Sequence, residues 1–398
     1  MPPKRSRAVR APAVPALRVR RSIQVMWEEY LTGIPDKQKP MNDLILAWYG
    51  ITHLPLDDEN SFFTIGGYHG EPFRGAGYGS SAWWGGWCNH GNVLFPTWHR
   101  AYMLRIENAL RSIKGYEGVT FPYWDETSEE TLKSGVPTIF LWEIFPHPNF
   151  KDPIDNPLFS YKFPVNIPIT RYQTVRYPLS GLVETEKALN ASAAHNAQFT
   201  AAEAASALNS NVWNWLGPET EVTVKGKKTK IKTGTFKKFD ECLKAPKLHG
   251  LHNTTSAGAW KDLYEATEHA VPLESLHNDI HLAIGGFDVP NQGDFSHISG
   301  ANGDMRENNT AGLDPIFYFH HANIDRYFWA WQCAHKAKAH LEIMPEFPGT
   351  NTVDSQGPTP GLAGGTWLTL ETPLRSFKNP DGSDVLSTFP PLKHPRLQ

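Results

Sequence analysis

Cysteine is scarce in this chain: Cys88, Cys242 and Cys333 are the only three in 398 residues. An odd and sparse set cannot supply a disulfide framework, and it leaves the redox compartment open. No apolar run approaches the roughly 18 residues needed to span a bilayer, so no membrane helix is expected. A net charge of −3 excludes nucleic acid and an anionic membrane as the main partner. No repeat of fixed period appears, which sets aside solenoids and propellers. With 40% hydrophobic and 20% charged residues the chain is globular and can bury a sizeable core. Its length suggests two or three domains, although single domains of this size exist.

Other residues are abundant. Fourteen Trp and 21 Phe, with 32 Gly and 32 Pro, suit irregular loops packed on a few helices, where one large ring replaces several aliphatic side chains. Seventeen histidines make metal chemistry the first thing to look for. His320 and His321 open an apolar, aromatic run, Asp314 to Gln332. Imidazole inside such a helix is costly unless its nitrogens are used.

Residues 1–21 carry Lys4, Arg5, Arg7, Arg10, Arg18, Arg20 and Arg21, with four prolines and no acid. No apolar segment of the secretory kind follows, so a disordered basic tail is expected, and the chain as written reads as cytoplasmic. A different native start would allow secretion. Ser22 is placed to cap a helix from Ile23, and Met41 to Tyr49 reads as a second helix. Ser61 to Cys88 reads as loop. Thr97 is placed to cap a long amphipathic helix with His99 in its first turn, followed by Tyr102, Met103, Ile106 and Leu110 at spacings of three and four. Residues 134–185 read as surface loops, Ala188 to Trp215 as helical, and Glu221 to Gly234 as a lysine-rich edge hairpin. Gly285 and Gly286 stop a helix that carries His277 and His281. The stretch from Pro345 onward reads as an extension draped over the core.

His277 and His281 stand four residues apart, which on a helix puts both rings on one face. The zinc-protease pattern would need Glu directly after the first histidine, and Asn278 stands there instead. His90 and His99 form a second pair. His69, flanked by Gly70 and by glycines 66 and 67, adds a third ring on backbone able to turn tightly. Three imidazoles from each half of the chain suggest two metal ions with all-nitrogen shells, whereas two separate zinc sites would call for thiolate or carboxylate ligands.

Four motifs carry a resemblance: His69-Gly-x-Pro-Phe, Cys88-Asn-His90-Gly-Asn-Val-Leu-Phe-Pro-Thr-Trp-His99-Arg, His277-Asn-x-x-His281, and Asp314-Pro-Ile-Phe-x-x-His-His321-Ala-Asn-Ile-Asp-Arg. Together they resemble the tyrosinase and catechol oxidase family of dinuclear copper proteins, most of all the short polyphenol oxidases of filamentous fungi. The resemblance implies a mainly α fold: a central four-helix bundle holding two copper ions, with long irregular loops and a few short β-strands. It divides the chain into the tail 1–21, a dicopper domain 22–344 and a C-terminal extension 345–398.

Carried over residue by residue, it assigns His69, His90 and His99 to the first copper and His277, His281 and His321 to the second. His320 is left behind the ligands and Phe317 against their cage. It implies a thioether between Cys88 and His90, where an ordinary buried thiol is the plain alternative. It implies that Glu274 and Asn278 hold a water that deprotonates monophenols, against the plain reading of Glu274 as an acid near a helix N-terminus. The activity implied is oxidation of o-diphenols to o-quinones by O2, with ortho-hydroxylation of monophenols, as in melanin formation. A hemocyanin-like reversible O2 carrier is the alternative.

Phenols and O2 are then the partners, and oligomeric state stays open. His297, Met305 and Arg306 are expected, from position alone, to line the substrate entrance, and Phe317, against the cage, is counted with them as substrate-binding. His249 and His252 read as a surface turn. His53, His147, His195, His269, His335, His340 and His394 suggest no partners.

Overall fold

The computed structural model describes residues 18–387 except 77–84, 147–151, 165–172, 182–185, 218–219, 225–226, 232–233, 265–269, 287, 290–292, 295, 339–340 and 353–360. The expectations for the first 17 residues, for the end of the extension and for His147, His269, His340 and His394 lie outside the described residues.

Helix dominates. The expected bundle consists of Pro35–Thr52, Phe95–Ser112, Leu273–Gly285 and Ile316–Ala334. The first packs on the second, the second on the Ile316 helix, and the Ile316 helix on the Leu273 helix, whose far side is covered by Ala201–Leu216. Trp48, on the first helix, is fully buried and reaches the Ile316 helix, with Phe62, Phe121, Tyr318 and Phe319 at ring distances of 5.4, 5.8, 5.7 and 5.6 Å. The Tyr102 and Tyr318 hydroxyls meet at 2.8 Å and tie the Phe95 helix to the Ile316 helix.

Local chemistry explains most helix ends. Ser22 accepts from Gln24 N–H as expected. The Ala-rich stretch is two helices, Glu186–Asn196 and Ala201–Leu216, the second opened by a capping box of Thr200 and Glu203. Gly286, at φ 72°, takes the left-handed turn that ends the Leu273 helix.

Thr97 is not the cap of its helix. The helix begins at Phe95 with Pro96 in its first turn, and Thr97 Oγ1 instead donates back to Leu94 O at 3.2 Å. His99 therefore sits one turn deeper than expected. Proline at a helix start costs no hydrogen bond, which is why the apolar Leu94-Phe95-Pro96 run can open it.

The hairpin forms as Thr220–Val224 with Lys227–Ile231. It joins Asp288–Val289 and Gly293–Asp294 in a four-stranded sheet, with the lysine-rich strand at one edge.

Four further expectations fail. Ser61 to Cys88 is not all loop, because Phe62–Gly67 is a short helix capped by Ser61. Residues 134–185 are not all surface loop: Phe140, Phe145, Leu158, Tyr161, Arg176 and Tyr177 are buried. Arg176 is the reason, because its guanidinium binds Asp314 and the carbonyls of Phe140 and Leu158. Arg18, Arg20 and Arg21, read as tail, are docked. Arg20 pairs with Glu107 at 2.9 Å and Asp325 at 3.3 Å, and Arg21 with Glu29 at 2.7 Å.

His249 and His252 are no surface turn either, being 1% and 0% exposed. His249 Nε2 accepts from Met344 N–H at 2.7 Å, and the two rings pack edge to face at 5.2 Å. His53, His195 and His335 hydrogen-bond to the carbonyls of Tyr49, Pro178 and Leu243.

The extension lies on the helix that carries His99. Its hairpin, Pro373–Lys378 with Asp384–Leu386, sends Phe377 against Tyr68, Trp98 and Tyr102. Ser387 Oγ meets Thr97 Oγ1 at 2.7 Å.

Candidate metal centre

His69 follows the short helix Phe62–Gly67, His90 comes from a loop, and His99 from the Phe95 helix. Gly70 lets the first of these turns close, since a Cβ there would run into the Asn309 backbone. All three rings are buried, 5.2, 5.1 and 5.9 Å apart. Nδ1–H of His69 donates to Asn308 O and that of His99 to Phe95 O, each at 2.8 Å. This sets the tautomer that leaves the Nε2 lone pair outward. Among the described residues, Nε2 of His69, His90 and His99 has no hydrogen-bond partner.

The second group is built on two helices. His277 and His281 lie one turn apart with rings 4.3 Å apart, and His321 faces them from the Ile316 helix. Nδ1–H of His277 donates to Asn278 Oδ1 at 2.8 Å, and that of His281 to Met305 O at 2.6 Å. Nε2 of His321 is 3.2 Å from Nε2 of both. The groups touch, with His99 stacked on His321 at 4.6 Å and 23°.

These donors fit metal ions. Burial holds every imidazole of the six below its usual pKa, His69 near 3 and His281 near 4, so all are neutral ligands at pH 7. Unpartnered buried nitrogens cost about 1–3 kcal/mol each, and a cation removes that cost. Nε2–Nε2 edges of 3.2 Å match those that bonds of about 2.0 Å set in a tetrahedral shell. The ligand-capable atoms of His69, His90 and His99 lie within 4.8 Å of one another, as do those of His277, His281, His320 and His321.

The other expected residues divide. Phe317 is fully buried and stacks on His321 at 3.9 Å, with its edge toward His69 and His281. It is a wall of the cage. Met305 is also fully buried; what it offers the site is its carbonyl, to His281. Arg306 is half-buried and paired with Glu307, and His297 is exposed.

Glu274 is 1% exposed. Its Oε1 accepts from Gly91 N–H at 2.5 Å, and its Oε2 from Thr254 N–H at 2.9 Å and Oγ1–H at 3.0 Å. Burial raises its pKa against those three donors. Asn278 is half-buried beside it.

Cys88 is buried and its thiol is pushed up to about 12 by burial. Its Sγ lies 3.8 Å from the Asn308 amide nitrogen, which is 3.3 Å from His90 Nδ1. Both members of the expected crosslink thus border one side chain.

Sequence reasoning missed Phe95, whose ring lies 4.8 and 5.0 Å from His99 and His277. It also missed Asn308, and Glu126, which binds His320. Phe95 had a signal in its place within the His90 motif. Asn308 and Glu126 had none.

The family model for the common central domain of tyrosinase matches residues 59–334. A tyrosinase from Hahella sp. is 48% identical over 393 residues, covering 91% of this chain and 68% of its own. The Aspergillus oryzae tyrosinase is 45% identical over 382 residues, covering 88% and 68%. Among solved structures, the tyrosinase of Burkholderia thailandensis at low pH superposes with a TM-score of 0.81 at 45% identity, over 94% of this chain and 72% of that one. The chain belongs to the tyrosinase family, and its two buried histidine groups fit the family's pair of copper ions.

Proposed function

We propose that this chain oxidises phenols with O2 at two copper ions, converting o-diphenols to o-quinones and hydroxylating monophenols at the ortho position. The balance is two catechols and one O2 to two quinones and two waters, or one monophenol and one O2 to one quinone and one water. Bound copper supplies the electron transfer that carbon, nitrogen and oxygen side chains cannot. The observation that carries this reading is the convergence of buried imidazole nitrogens in two touching groups, those of the first without a hydrogen-bond partner among the described residues and those of the second turned toward one another.

His69, His90 and His99 hold the first ion; His277, His281 and His321 hold the second. Neutral rings leave the ions' positive charge undiminished, which draws a phenol toward its phenolate form. Phe317 and Phe95 fix the ring planes and keep water from the back of the cage.

Glu274 takes the proton of an incoming monophenol through a water shared with Asn278. Burial raises its pKa and so strengthens it as a base, while three protein donors hold the charged form in place. Loading the protein with copper and assaying a matched monophenol and diphenol tests this. Glu274→Gln should lower the ratio of monophenol to diphenol rates by about 10²-fold, the low end for a general base. An unchanged ratio removes the role and leaves Glu274 as a tie between Gly91 and Thr254.

The thioether joins Cys88 Sγ to a ring carbon of His90 with loss of two hydrogens to O2. The copper-loaded protein should then give a Cys88–His90 peptide two hydrogens lighter than its sequence mass. Alkylation of Cys88 by iodoacetamide after denaturation would exclude the bond.

A further inference from the structure

Five of the six ligand histidines have a hydrogen-bond partner at Nδ1 that fixes the ring: Asn308 O for His69, the Asn308 side-chain amide for His90, Phe95 O for His99, Asn278 Oδ1 for His277 and Met305 O for His281. His321 has none. Its Nδ1 is buried without a hydrogen-bond partner among the described residues. Stacking on Phe317 and His99 holds the plane of its ring, yet stacked faces slide over one another easily. Something else must fix where the Ile316 helix presents it.

We propose that Glu126 is that support: a positioning residue which, through the Ile316 helix, places the third nitrogen donor of the second ion. The Glu126 carboxyl is fully buried. Its Oε1 accepts from His320 Nδ1–H at 2.7 Å, and its Oε2 accepts from the Asn323 amide. His320 and Asn323 lie three residues apart on one helix face, one position before and two after His321. One carboxyl group therefore grips the helix on both sides of the ligand and sets its rotation and height.

Glu126 is itself held firmly. Trp124 N–H donates to Phe319 O at 3.0 Å, and Gln24 Nε2 donates to Asp125 O at 2.9 Å. Arg326 reaches Asp125 at 3.2 Å. The grip also orders His320, whose ring stacks on that of His277 at 5.4 Å and 23°, so it bears on two of the three rings of this group. The anchors of the first group come from other segments.

The inference rests on the copper reading above, and the experiment separates the two. Wild type, Glu126→Gln and Glu126→Leu are loaded with copper, and copper per chain, release to a chelator and the paramagnetic signal of cupric ion are measured. Wild type should hold two ions. Glu126→Leu should release one of them on the order of 10–100 times more readily, the usual cost of losing a group that orients a ligand, and show an isolated cupric ion at the first group. Glu126→Gln keeps an acceptor oxygen for His320 and should stay near wild type, whereas a role in folding alone would alter both ions together.

Equal release of both ions from wild type and Glu126→Leu overturns the inference and leaves the copper reading intact. A wild-type chain that binds no copper overturns both. Should Glu126→Leu fail to fold, Asn323→Ala loosens one side of the grip and decides the matter: faster loss of one ion supports the inference, and unchanged release overturns it.

Discussion

Replacing His277 by alanine should strip the second copper ion and lower catechol turnover on the order of 10³-fold or more. His277 Nε2 is one corner of the 3.2 Å contacts around His321, and its ring also faces His90 and His99 of the first group at 5.9 Å. Losing it leaves two nitrogens for an ion that needs three. A catalytic metal is worth several kcal/mol of transition-state stabilisation, and about 1.36 kcal/mol is a factor of ten. About 4 kcal/mol gives a loss on the order of 10³. The true loss should be larger, because taking two electrons from a catechol requires both ions.

Stability should fall less than activity. The metal-free protein no longer forces three lone pairs together, which offsets part of the cavity left by the ring. Copper content and catechol turnover of His277→Ala check this, with His297→Ala, at an exposed histidine, as the control expected to keep two ions. Retention of two ions and wild-type turnover by His277→Ala would falsify the ligand assignment.

Residue type alone made the imidazoles legible in the sequence. Histidine is costly inside apolar helices, so residue type marks His277, His281, His320 and His321, whereas it is the family resemblance that chooses His321 over His320; Gly285-Gly286 marks a helix end that the fold keeps. The supports were not legible, for a physical reason. Asn308, Phe95 and Met305 serve His69, His99 and His281 through main-chain carbonyls, and a carbonyl carries no residue signature. Met305 shows the cost: its position in the sequence suggests an entrance, while its oxygen is what His281 uses.

Residues 134–185 failed for a related reason. Turn-forming composition describes a path without regular structure, but it does not say whether one arginine draws that path inward. Arg18, Arg20 and Arg21 looked like solvated charge until Glu29, Glu107 and Asp325 were found beside them. His249 and His252 lacked neighbours in sequence and found them in Met344 and Phe347.

Asp314→Ala should cost about 3–5 kcal/mol of stability, the usual result of leaving one partner of a buried ion pair alone. Arg176 and Asp314 are 8% and 0% exposed, and the guanidinium contacts both carboxylate oxygens, Nε at 2.9 and 3.1 Å and Nη2 at 2.6 Å. Two further donations go to Phe140 O and Leu158 O at 2.8 and 2.9 Å, so a charge that loses Asp314 has no other anion to turn to in this network. Asp314 also accepts from Ile316 N–H at 3.1 Å, the first residue of the helix that carries His321, so the same carboxylate fixes where that helix starts.

The pair therefore joins the 134–185 segment to the start of that helix, and the substitution should weaken copper retention at the second group as well as shift the urea midpoint. Arg176→Met with Asp314→Leu removes both charges and should be less destabilised than the sum of the single changes, because neither partner is then buried alone. If Asp314→Ala shifts stability by less than about 1 kcal/mol, or if the double variant equals the sum, the pair is not what holds this segment to the helix.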